Sequence, residues 1–238
     1  MSRELLCIEG LAAGYGDLQI LWNVGLRADV GEYVAVLGSN GAGKSTLLKT
    51  IAGIVRSMNG VIRFDGIDVT SRKAAARVRH GISLVPEGKR LFSGMTVKEN
   101  LMMGAFVRTD ESEVQADLDR VLTLFPPLQP KLKQVAGTLS GGEQQMCSVG
   151  RALMGRPRLL LVDELSFGLS PALAERLFSA LSEINREGMT IVLVEQDVVA
   201  ALTHAHRGYV VAGGKIVREG TSGELAGDPM IKKNYLGA

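Results

Sequence analysis

The sequence feature that most constrains this chain is a glycine-rich run of eight residues. Residues 38–45 read Gly-Ser-Asn-Gly-Ala-Gly-Lys-Ser, which matches the phosphate-loop pattern G-x-x-x-x-G-K-[ST] at every fixed position. An apolar run, Tyr33–Leu37, precedes this phosphate loop, and an amphipathic run, Thr46–Ile51, follows it. Glycine-rich loops elsewhere also make plain turns. The strand–loop–helix context favours a site for a nucleoside triphosphate.

Each part of the phosphate loop has a physical role in holding phosphate. Gly38, Gly41 and Gly43 let the backbone bend so that several N–H groups point at one anion. The helix that begins there adds the positive end of its dipole. Lys44 is long enough to reach the β- and γ-phosphates, and the hydroxyl of Ser45 can hold Mg²⁺.

Composition and charge exclude several classes of protein. The chain has 238 residues, of which 46% are hydrophobic and 22% charged, and its net charge is +2, so we expect a globular protein that binds no nucleic acid. Cys7 and Cys147 stand alone in apolar segments, and we expect both to be reduced and buried. No signal peptide or apolar run of about 18 residues is present. We expect a cytosolic protein, or one docked on a membrane by a partner.

Short apolar runs predict an α/β fold. Four runs suit strands that are buried on both faces of a parallel sheet: Ile82–Val85, Leu159–Val162, Ile191–Val194 and Tyr209–Val211. Helical stretches such as Pro171–Glu187 lie between them, with a proline in the first turn. Two further strands, Leu5–Ile8 and Gly60–Phe64, are expected in an N-terminal antiparallel β portion.

The segment from residue 88 to residue 153 has a different pattern. Helical periodicity at Val97–Met103 and Glu111–Leu124 is followed by a proline-rich break over residues 126–130, and no strand is evident. We predict one domain over residues 1–238. Its α/β nucleotide-binding core would comprise residues 1–87 and 154–238, with a helical lobe inserted at residues 88–153.

Two carboxylates end one of the apolar strands. Asp163 and Glu164 follow Leu159–Val162, and the carboxyl edge of the sheet faces the nucleotide in a phosphate-loop fold. An aspartate there can hold Mg²⁺ through water, and a neighbouring glutamate can orient or deprotonate the attacking water. A strand ending in Asp-Glu is more often an exposed strand end, but the upstream phosphate loop favours the functional interpretation.

A third motif, the signature segment, comprises residues 139–145 and reads Leu-Ser-Gly-Gly-Glu-Gln-Gln ahead of a helical run, Met146–Met154. Ser140 can cap that helix, and the two glycines leave its N-terminal amides bare. An ordinary capped helix start is the alternative. Here the sequence resembles the ATP-binding cassette ATPases, whose signature is L-S-G-G-[EQ]. The resemblance covers essentially the whole chain, with the motifs in the family's order and spacing.

The resemblance implies ATP as substrate, Mg²⁺ as cofactor, and a head-to-tail dimer in which each signature segment caps the γ-phosphate held by the other subunit. Glu164 would be the catalytic base. Asp163 would be the magnesium-side carboxylate, beside Ser45. Tyr15 falls at the position that stacks on adenine, although it is alternatively a turn aromatic. The other implied nucleotide contacts are Gly38, Ser39, Asn40, Gly41, Ala42, Gly43, Lys44, Ser45, Thr46, Ser140, Gly141, Gly142 and Glu143.

Two departures from the family pattern concern catalysis. Glu87 occupies the position of a glutamine that touches Mg²⁺; its carboxylate still offers the metal an oxygen but adds negative charge. Lys89 and Arg90 either offset that charge or are simply solvated. Gln196 replaces the usual histidine and can donate a hydrogen bond to the γ-phosphate but cannot gain a proton. Hydrolysis must then rest on Glu164, with Gln196 only positioning.

Two smaller departures remove no group needed for chemistry. Ser170 replaces the usual aspartate in the family's dimer-contact loop, residues 168–171, and Leu165 replaces a common proline. Together with the ending Asn234–Gly237, the departures at positions 87 and 196 resemble one branch of the family. That branch is the shorter ATP-binding subunit of branched-chain amino acid importers, and its close relatives serve urea and short amides.

The branch implies a set of partners at the cytoplasmic face of the inner (plasma) membrane. They are a sister cassette or a second copy, transmembrane permease subunits and, indirectly, a periplasmic binding protein. Six apolar residues are candidates to dock on the permease, although half or more can be ordinary core: Leu91, Phe92, Met95, Leu101, Met102 and Met103. A cassette of a lipid or drug exporter is an alternative. A non-transport cassette is another, but no basic patch or long coiled-coil insertion supports it.

Overall fold

Two β-sheets organise the chain, and the computed structural model describes residues 3–231 of it. The first sheet has four strands in the order β2-β1-β4-β5, all pairs antiparallel. They are β1 (Glu4–Tyr15), β2 (Leu18–Asp29), β4 (Ser57–Phe64) and β5 (Ile67–Asp68). This confirms the N-terminal antiparallel portion. The predicted ending motif at residues 234–237 lies outside the described residues.

The second sheet carries the candidate site and has the order β10-β9-β3-β8-β7-β6. Every neighbouring pair from β9 to β6 is parallel, and only β9 and β10 are antiparallel. The strands are β3 (Tyr33–Leu37), β6 (Ile82–Val85), β7 (Leu159–Asp163), β8 (Thr190–Glu195), β9 (Arg207–Ala212) and β10 (Lys215–Thr221). The four apolar runs are therefore strands of a mostly parallel sheet, as predicted.

The sequence interpretation missed strand β2, although its pattern is in the sequence. Val24, Leu26 and Ala28 are buried, and the residues between them, Gly25 and Arg27, are exposed. This alternation is the period of a strand with one buried face. Strand β1 also runs seven residues beyond the predicted end at Ile8, to Tyr15, so the first sheet is larger than expected.

Nine helices surround the sheets in the described part of the chain. They are α1 (Lys44–Ile51), α2 (Ala74–Arg79), α3 (Val97–Gly104), α4 (Glu111–Leu124), α5 (Gly141–Leu153), α6 (Pro171–Arg186), α7 (Val198–His204), α8 (Ser222–Gly227) and α9 (Pro229–Ile231). The proline-rich break after α4 is a short 3₁₀ helix, Pro126–Lys131, whose first positions tolerate proline because they need no N–H donor. Helix α5 begins five residues before the predicted Met146.

The core lies on both faces of the second sheet. Alternate residues of β3 enter two apolar clusters: Tyr33, Ala35 and Leu37 pack with α3, α5, α6 and α7, while Val34 and Val36 pack with the first sheet and α1. Helices of residues 88–153 thus share one cluster with the sheet. The predicted division into core and helical lobe stays a prediction.

Both cysteines are buried and free, as expected, and burial raises the pKa of the Cys147 thiol to about 11. Between residues 3 and 231, no helix combines the length and apolar character that crossing a membrane requires.

Candidate active site

The phosphate loop connects β3 to α1 at the carboxyl edge of the parallel sheet. Gly41 and Gly43 have φ of +77° and +107°, a left-handed backbone that side chains strain. A β-carbon on Gly38 would lie 2.3 Å from the carbonyl oxygen of Val211, and one on Gly43 would lie 2.9 Å from Leu21 Cδ2. The loop therefore needs glycine both for its bend and for close packing.

A glycine pair that the sequence interpretation did not use supports the phosphate loop from outside. Gly213 and Gly214 join β9 to β10, and the Gly214 N–H donates to the Ala42 carbonyl at 2.9 Å. The Gly214 carbonyl accepts from the N–H of Trp22 at 2.8 Å. The signal was available, because Gly-Gly between two strands is a hairpin-turn pattern.

Lys44 is held between the phosphate loop and the predicted catalytic base. Its side chain is 3% exposed, and its Nζ donates to the carbonyls of Gly38 at 2.7 Å and Ser39 at 3.2 Å. The same Nζ lies 3.7 Å from Glu164 Oε1. This buried ammonium thus lies where it can contact the anionic oxygens of a phosphate that the loop holds.

Ser45 and Asp163 meet as a magnesium site requires. The Ser45 hydroxyl donates to Asp163 Oδ1 at 2.8 Å. Asp163 Oδ2 is buried and accepts no hydrogen bond from any residue between 3 and 231. Burial raises the pKa of the Asp163 carboxyl, and the negative charges of Glu87 and Glu164 raise it further. The hydrogen bond from Ser45 and the positive charge of Lys49 lower it, but the net shift is upward.

An orphaned carboxylate oxygen beside a hydroxyl fits a hard cation. No group of three or more His, Cys, Asp or Glu side chains with the geometry of a metal site occurs among the described residues. Magnesium usually takes one or two protein oxygens and completes its shell with phosphate and water. Ser45 and Asp163 therefore fit Mg²⁺ as part of a nucleotide complex.

The structure changes the interpretation of Lys89. Its Nζ lies 3.3 Å from where a β-carbon on Gly141 would be, so it rests against the signature segment. Within residues 3–231 its ammonium forms no ion pair with Glu87, which is exposed. Lys89 therefore neither neutralises Glu87 directly nor extends freely into solvent, whereas Arg90 is exposed.

Glu164 has a strained backbone. Its φ is +48°, which is uncommon for a residue other than glycine and costs about 1 kcal/mol. Its N–H donates to the carbonyl of Val194 at 2.9 Å, and its side chain is 13% exposed. Strain of this kind is common at functional sites, and here it falls on a carboxylate that faces Lys44.

Gln196 directly follows β8, as Glu164 directly follows the neighbouring strand β7. The side chain of Gln196 is exposed. Its backbone N–H donates to the carboxylate of Glu195 at 3.2 Å. That carboxylate also accepts two hydrogen bonds from Ser166. Burial raises the pKa of Glu195, and these bonds oppose the rise. The sequence interpretation gave neither Glu195 nor Ser166 a role.

The signature segment begins helix α5 with a capping box. Ser140 Oγ accepts from the Glu143 N–H at 3.4 Å, and Glu143 Oε2 accepts from the Ser140 N–H at 3.0 Å. Lys131 lies 2.6 Å from Glu143 Oε1 and, by its hydrogen bond, holds the pKa of that carboxyl below its usual range. The predicted cap is confirmed. The Glu143 side chain is already engaged within its own chain.

The two glycines of the signature segment differ in environment. Gly141 is exposed, whereas Gly142 is buried, and a β-carbon there would lie 2.8 Å from Leu173 Cδ1 on α6. In the described residues no hydrogen bond joins residues 140–143 to the phosphate loop. Gly141 is therefore the exposed position at the start of α5 where an anion from outside this chain can meet the helix N-terminus.

Tyr15 ends strand β1 and is half-exposed. It stands opposite Leu18 across the turn, and the following strand places Leu21 against Gly43 of the phosphate loop. An exposed aromatic ring suits base stacking, but a turn aromatic has the same exposure. Both interpretations of Tyr15 stay open.

The six docking candidates divide into core and surface. Leu101 is fully buried and belongs to the core, so the ordinary-core alternative holds for this residue. Leu91 and Met95 are partly buried, while Phe92, Met102 and Met103 are exposed. Phe92 and Met103 line a groove of about 340 Å³ beside Arg90 and Arg151.

Comparison with known proteins gives consistent results. The ABC transporter family matches residues 21–166. The chain is 44% identical to the high-affinity branched-chain amino acid transport ATP-binding protein BraG of Pseudomonas aeruginosa, over 98% of this chain and 100% of that protein. It is 37% identical to the "Probable branched-chain amino acid transport ATP-binding protein LivF" of Archaeoglobus fulgidus, over 95% and 96%. An ATP-binding cassette of an ABC transporter in its ADP conformation superposes with a TM-score of 0.86 at 27% identity, covering both chains completely.

Proposed function

This chain belongs to the ABC transporter family as one of its ATP-binding, ATP-hydrolysing subunits, and from that premise we propose that it powers the import of branched-chain amino acids. The proposed hydrolysis rests on one observation above all, the position of Lys44 Nζ 3.7 Å from Glu164 Oε1 beside the phosphate loop. The proposed cargo rests on the 44% identity to a branched-chain amino acid transport protein over 98% of this chain and 100% of that protein.

In the proposed reaction, water attacks the γ-phosphorus of ATP and ADP leaves with the electrons of the broken bond. The carboxylate of Glu164 accepts the proton of the water as the new O–P bond forms. The ammonium of Lys44 stabilises charge on the phosphate oxygens. The amide of Gln196 donates a hydrogen bond that orients the γ-phosphate or the water, and it takes no proton.

A magnesium ion bound with ATP would neutralise charge on the β- and γ-phosphate oxygens. Ser45 and Asp163 would hold it, since their oxygens meet at 2.8 Å and Asp163 Oδ2 has no other partner in the described chain. Glu87 is the third proposed ligand. Its negative charge is one of those that raise the pKa of Asp163.

We assign the second half of each pocket to a partner cassette. Ser140 and Gly141 stand exposed at the amide end of α5, where the helix dipole favours a phosphate. A head-to-tail pair would bring this end onto the γ-phosphate held by the other subunit. The partner is a sister cassette or a second copy of this chain.

In the proposed transporter, this subunit is a peripheral protein at the cytoplasmic face of the inner membrane. Permease subunits would contact the exposed apolar side chains of Phe92, Met102 and Met103, and a periplasmic binding protein would deliver solute from the other side. The groove that Phe92 and Met103 line is one place for a permease loop.

Uptake by cells tests the proposed cargo. Cells that produce the complete transporter with this chain should accumulate radiolabelled leucine, and cells that carry the Glu164→Gln chain instead should not. Equal leucine uptake in both would contradict the role of the chain in this transport. Uptake of urea instead of leucine would overturn the cargo while leaving the ATPase proposal in place.

Replacing Glu87 with alanine tests the third metal ligand. Because a carboxylate that ligates Mg²⁺ adds to its affinity, Glu87→Ala should raise the magnesium concentration for half-maximal ATPase activity severalfold, with little change in maximal rate. A magnesium titration of ATPase activity measures this, and Glu111→Gln, at an exposed carboxylate of α4, is the control. An unaltered titration would remove Glu87 from the metal shell.

A further inference from the structure

We infer that Glu195 is a positioning residue for ATP hydrolysis. Its carboxylate ties the segment that carries Glu164 to the segment that carries Gln196 and holds both in one arrangement. The inference rests on the proposed function, because it concerns the same site. Glu195 itself need not touch the nucleotide.

The geometry places one carboxylate between two chain segments. Strands β7 and β8 are parallel neighbours, and Glu195 is the last residue of β8. Glu195 Oε1 accepts from the Ser166 N–H at 2.9 Å, and Oε2 accepts from the Ser166 hydroxyl at 3.0 Å. Oε2 also accepts from the Gln196 N–H at 3.2 Å. We call these three hydrogen bonds the Glu195 clamp.

Because Glu195 is buried, its carboxylate depends on these hydrogen bonds for stabilisation. The side chain is 1% exposed, and no cation forms an ion pair with it in the part of the chain that the structure describes. A buried carboxylate without a counter-charge is costly unless hydrogen bonds satisfy it. Two of the three donors belong to Ser166, so moving the Glu164 segment away from the end of β8 leaves a buried polar group unpaired.

On one side, the clamp constrains the predicted base. Glu164 has a φ of +48°, and a strained residue keeps such a conformation only when its surroundings hold it. Its N–H is fixed to the Val194 carbonyl at 2.9 Å, and Ser166, two residues later, is fixed by Glu195. Releasing Ser166 would let the backbone of Glu164 relax and move its carboxylate away from Lys44.

On the other side, the clamp constrains Gln196. The residue after it, Asp197, caps α7 by accepting from the Ala200 N–H at 3.0 Å. The backbone of Gln196 is thus held between Glu195 and the start of α7, while its side chain stays exposed. Together with the pairing of β7 and β8, this carboxylate therefore holds the base and the residue that orients the γ-phosphate in one arrangement.

Glu195→Gln tests the clamp without changing the size of the side chain. One of its two oxygens becomes an NH₂ group, which cannot accept, so at least one of the three donors loses its partner. We expect kcat to fall about tenfold or more, the effect of losing one hydrogen bond to a charged group. The KM for ATP and the affinity for ATP should stay within about twofold, because the clamp includes neither the phosphate loop nor Lys44.

Ser166 supplies a matched pair of variants. Ser166→Ala removes one bond of the clamp and should lower kcat, whereas Ser166→Thr keeps the hydroxyl and should retain most of it. Glu219→Gln, at an exposed carboxylate of β10, is the control for charge removal. Thermal melting of each variant checks the fold.

The results separate four cases. A loss of kcat with unchanged KM and melting temperature, recovered in Ser166→Thr, supports the clamp. Unchanged kcat in Glu195→Gln and Ser166→Ala, while Glu164→Gln is inactive, overturns the clamp and leaves the proposed function intact. A joint loss of kcat, nucleotide affinity and melting temperature also overturns it, since that pattern is structural. A wild-type protein without ATPase activity overturns the proposed function itself.

Discussion

Glu164→Gln should bind ATP but turn it over about 10²–10⁴ times more slowly, the usual contribution of general base catalysis. The amide keeps the size of the carboxylate but cannot accept the proton of the attacking water at neutral pH. Removing a negative charge 3.7 Å from Lys44 Nζ also lowers the repulsion of the γ-phosphate. Affinity for ATP should therefore be unchanged or higher. Steady-state phosphate release and calorimetric titration with ATP measure the two quantities.

The same variant reports on the composite pocket. If hydrolysis opens a dimer that ATP closes, Glu164→Gln should accumulate as an ATP-bound pair of subunits in size-exclusion chromatography with Mg²⁺. Glu183→Gln, at an exposed carboxylate of α6, controls for the loss of charge. Retained turnover would contradict the role of Glu164 as base. Lost turnover without dimer accumulation would contradict only the assignment of Ser140 and Gly141 to a partner's nucleotide.

The short motifs of this chain could be predicted from the sequence because the residues that carry out each function are nearly consecutive. The phosphate loop needs its own glycines, and Asp163 and Glu164 needed only the apolar strand before them to be placed at the sheet edge. The meeting of Ser45 with Asp163 followed from the rule that the carboxyl ends of parallel strands share one edge. The sequence could not reveal the orphaned Asp163 Oδ2, because burial of one atom depends on everything packed around it.

The missed features depend on contacts between distant residues. Glu195 and Ser166 are 29 positions apart and meet only because β7 and β8 are neighbours. Lys89 meets Gly141 only because the segment after β6 runs against α5. Leu101 looked like its exposed neighbours Met102 and Met103, since a short helix does not show which of three consecutive apolar residues faces inward. Strand β2, in contrast, was readable from its alternation and was overlooked.

Lys44→Ala should weaken ATP binding by about 10²-fold or more and abolish measurable hydrolysis. A buried ammonium that donates to the phosphates makes charge-assisted hydrogen bonds worth roughly 1.5–3 kcal/mol each, and each 1.4 kcal/mol is about tenfold in affinity. Since we expect Lys44 to reach both the β- and γ-phosphates, the loss should be larger for ATP than for ADP. Calorimetric titration with each nucleotide measures the difference.

The control for this variant must separate binding from folding. Lys44 also donates to the carbonyls of Gly38 and Ser39, so its removal leaves loop oxygens without a donor and is expected to lower the melting temperature slightly. Lys133→Ala removes an exposed lysine from the segment before α5 and should change neither quantity. Unchanged ATP affinity in a folded Lys44→Ala protein would remove this ammonium from the phosphate site. An equal loss for ATP and ADP would instead place it on the β-phosphate alone, which would leave the γ-phosphate to be held by Gln196 and the partner's amide end of α5.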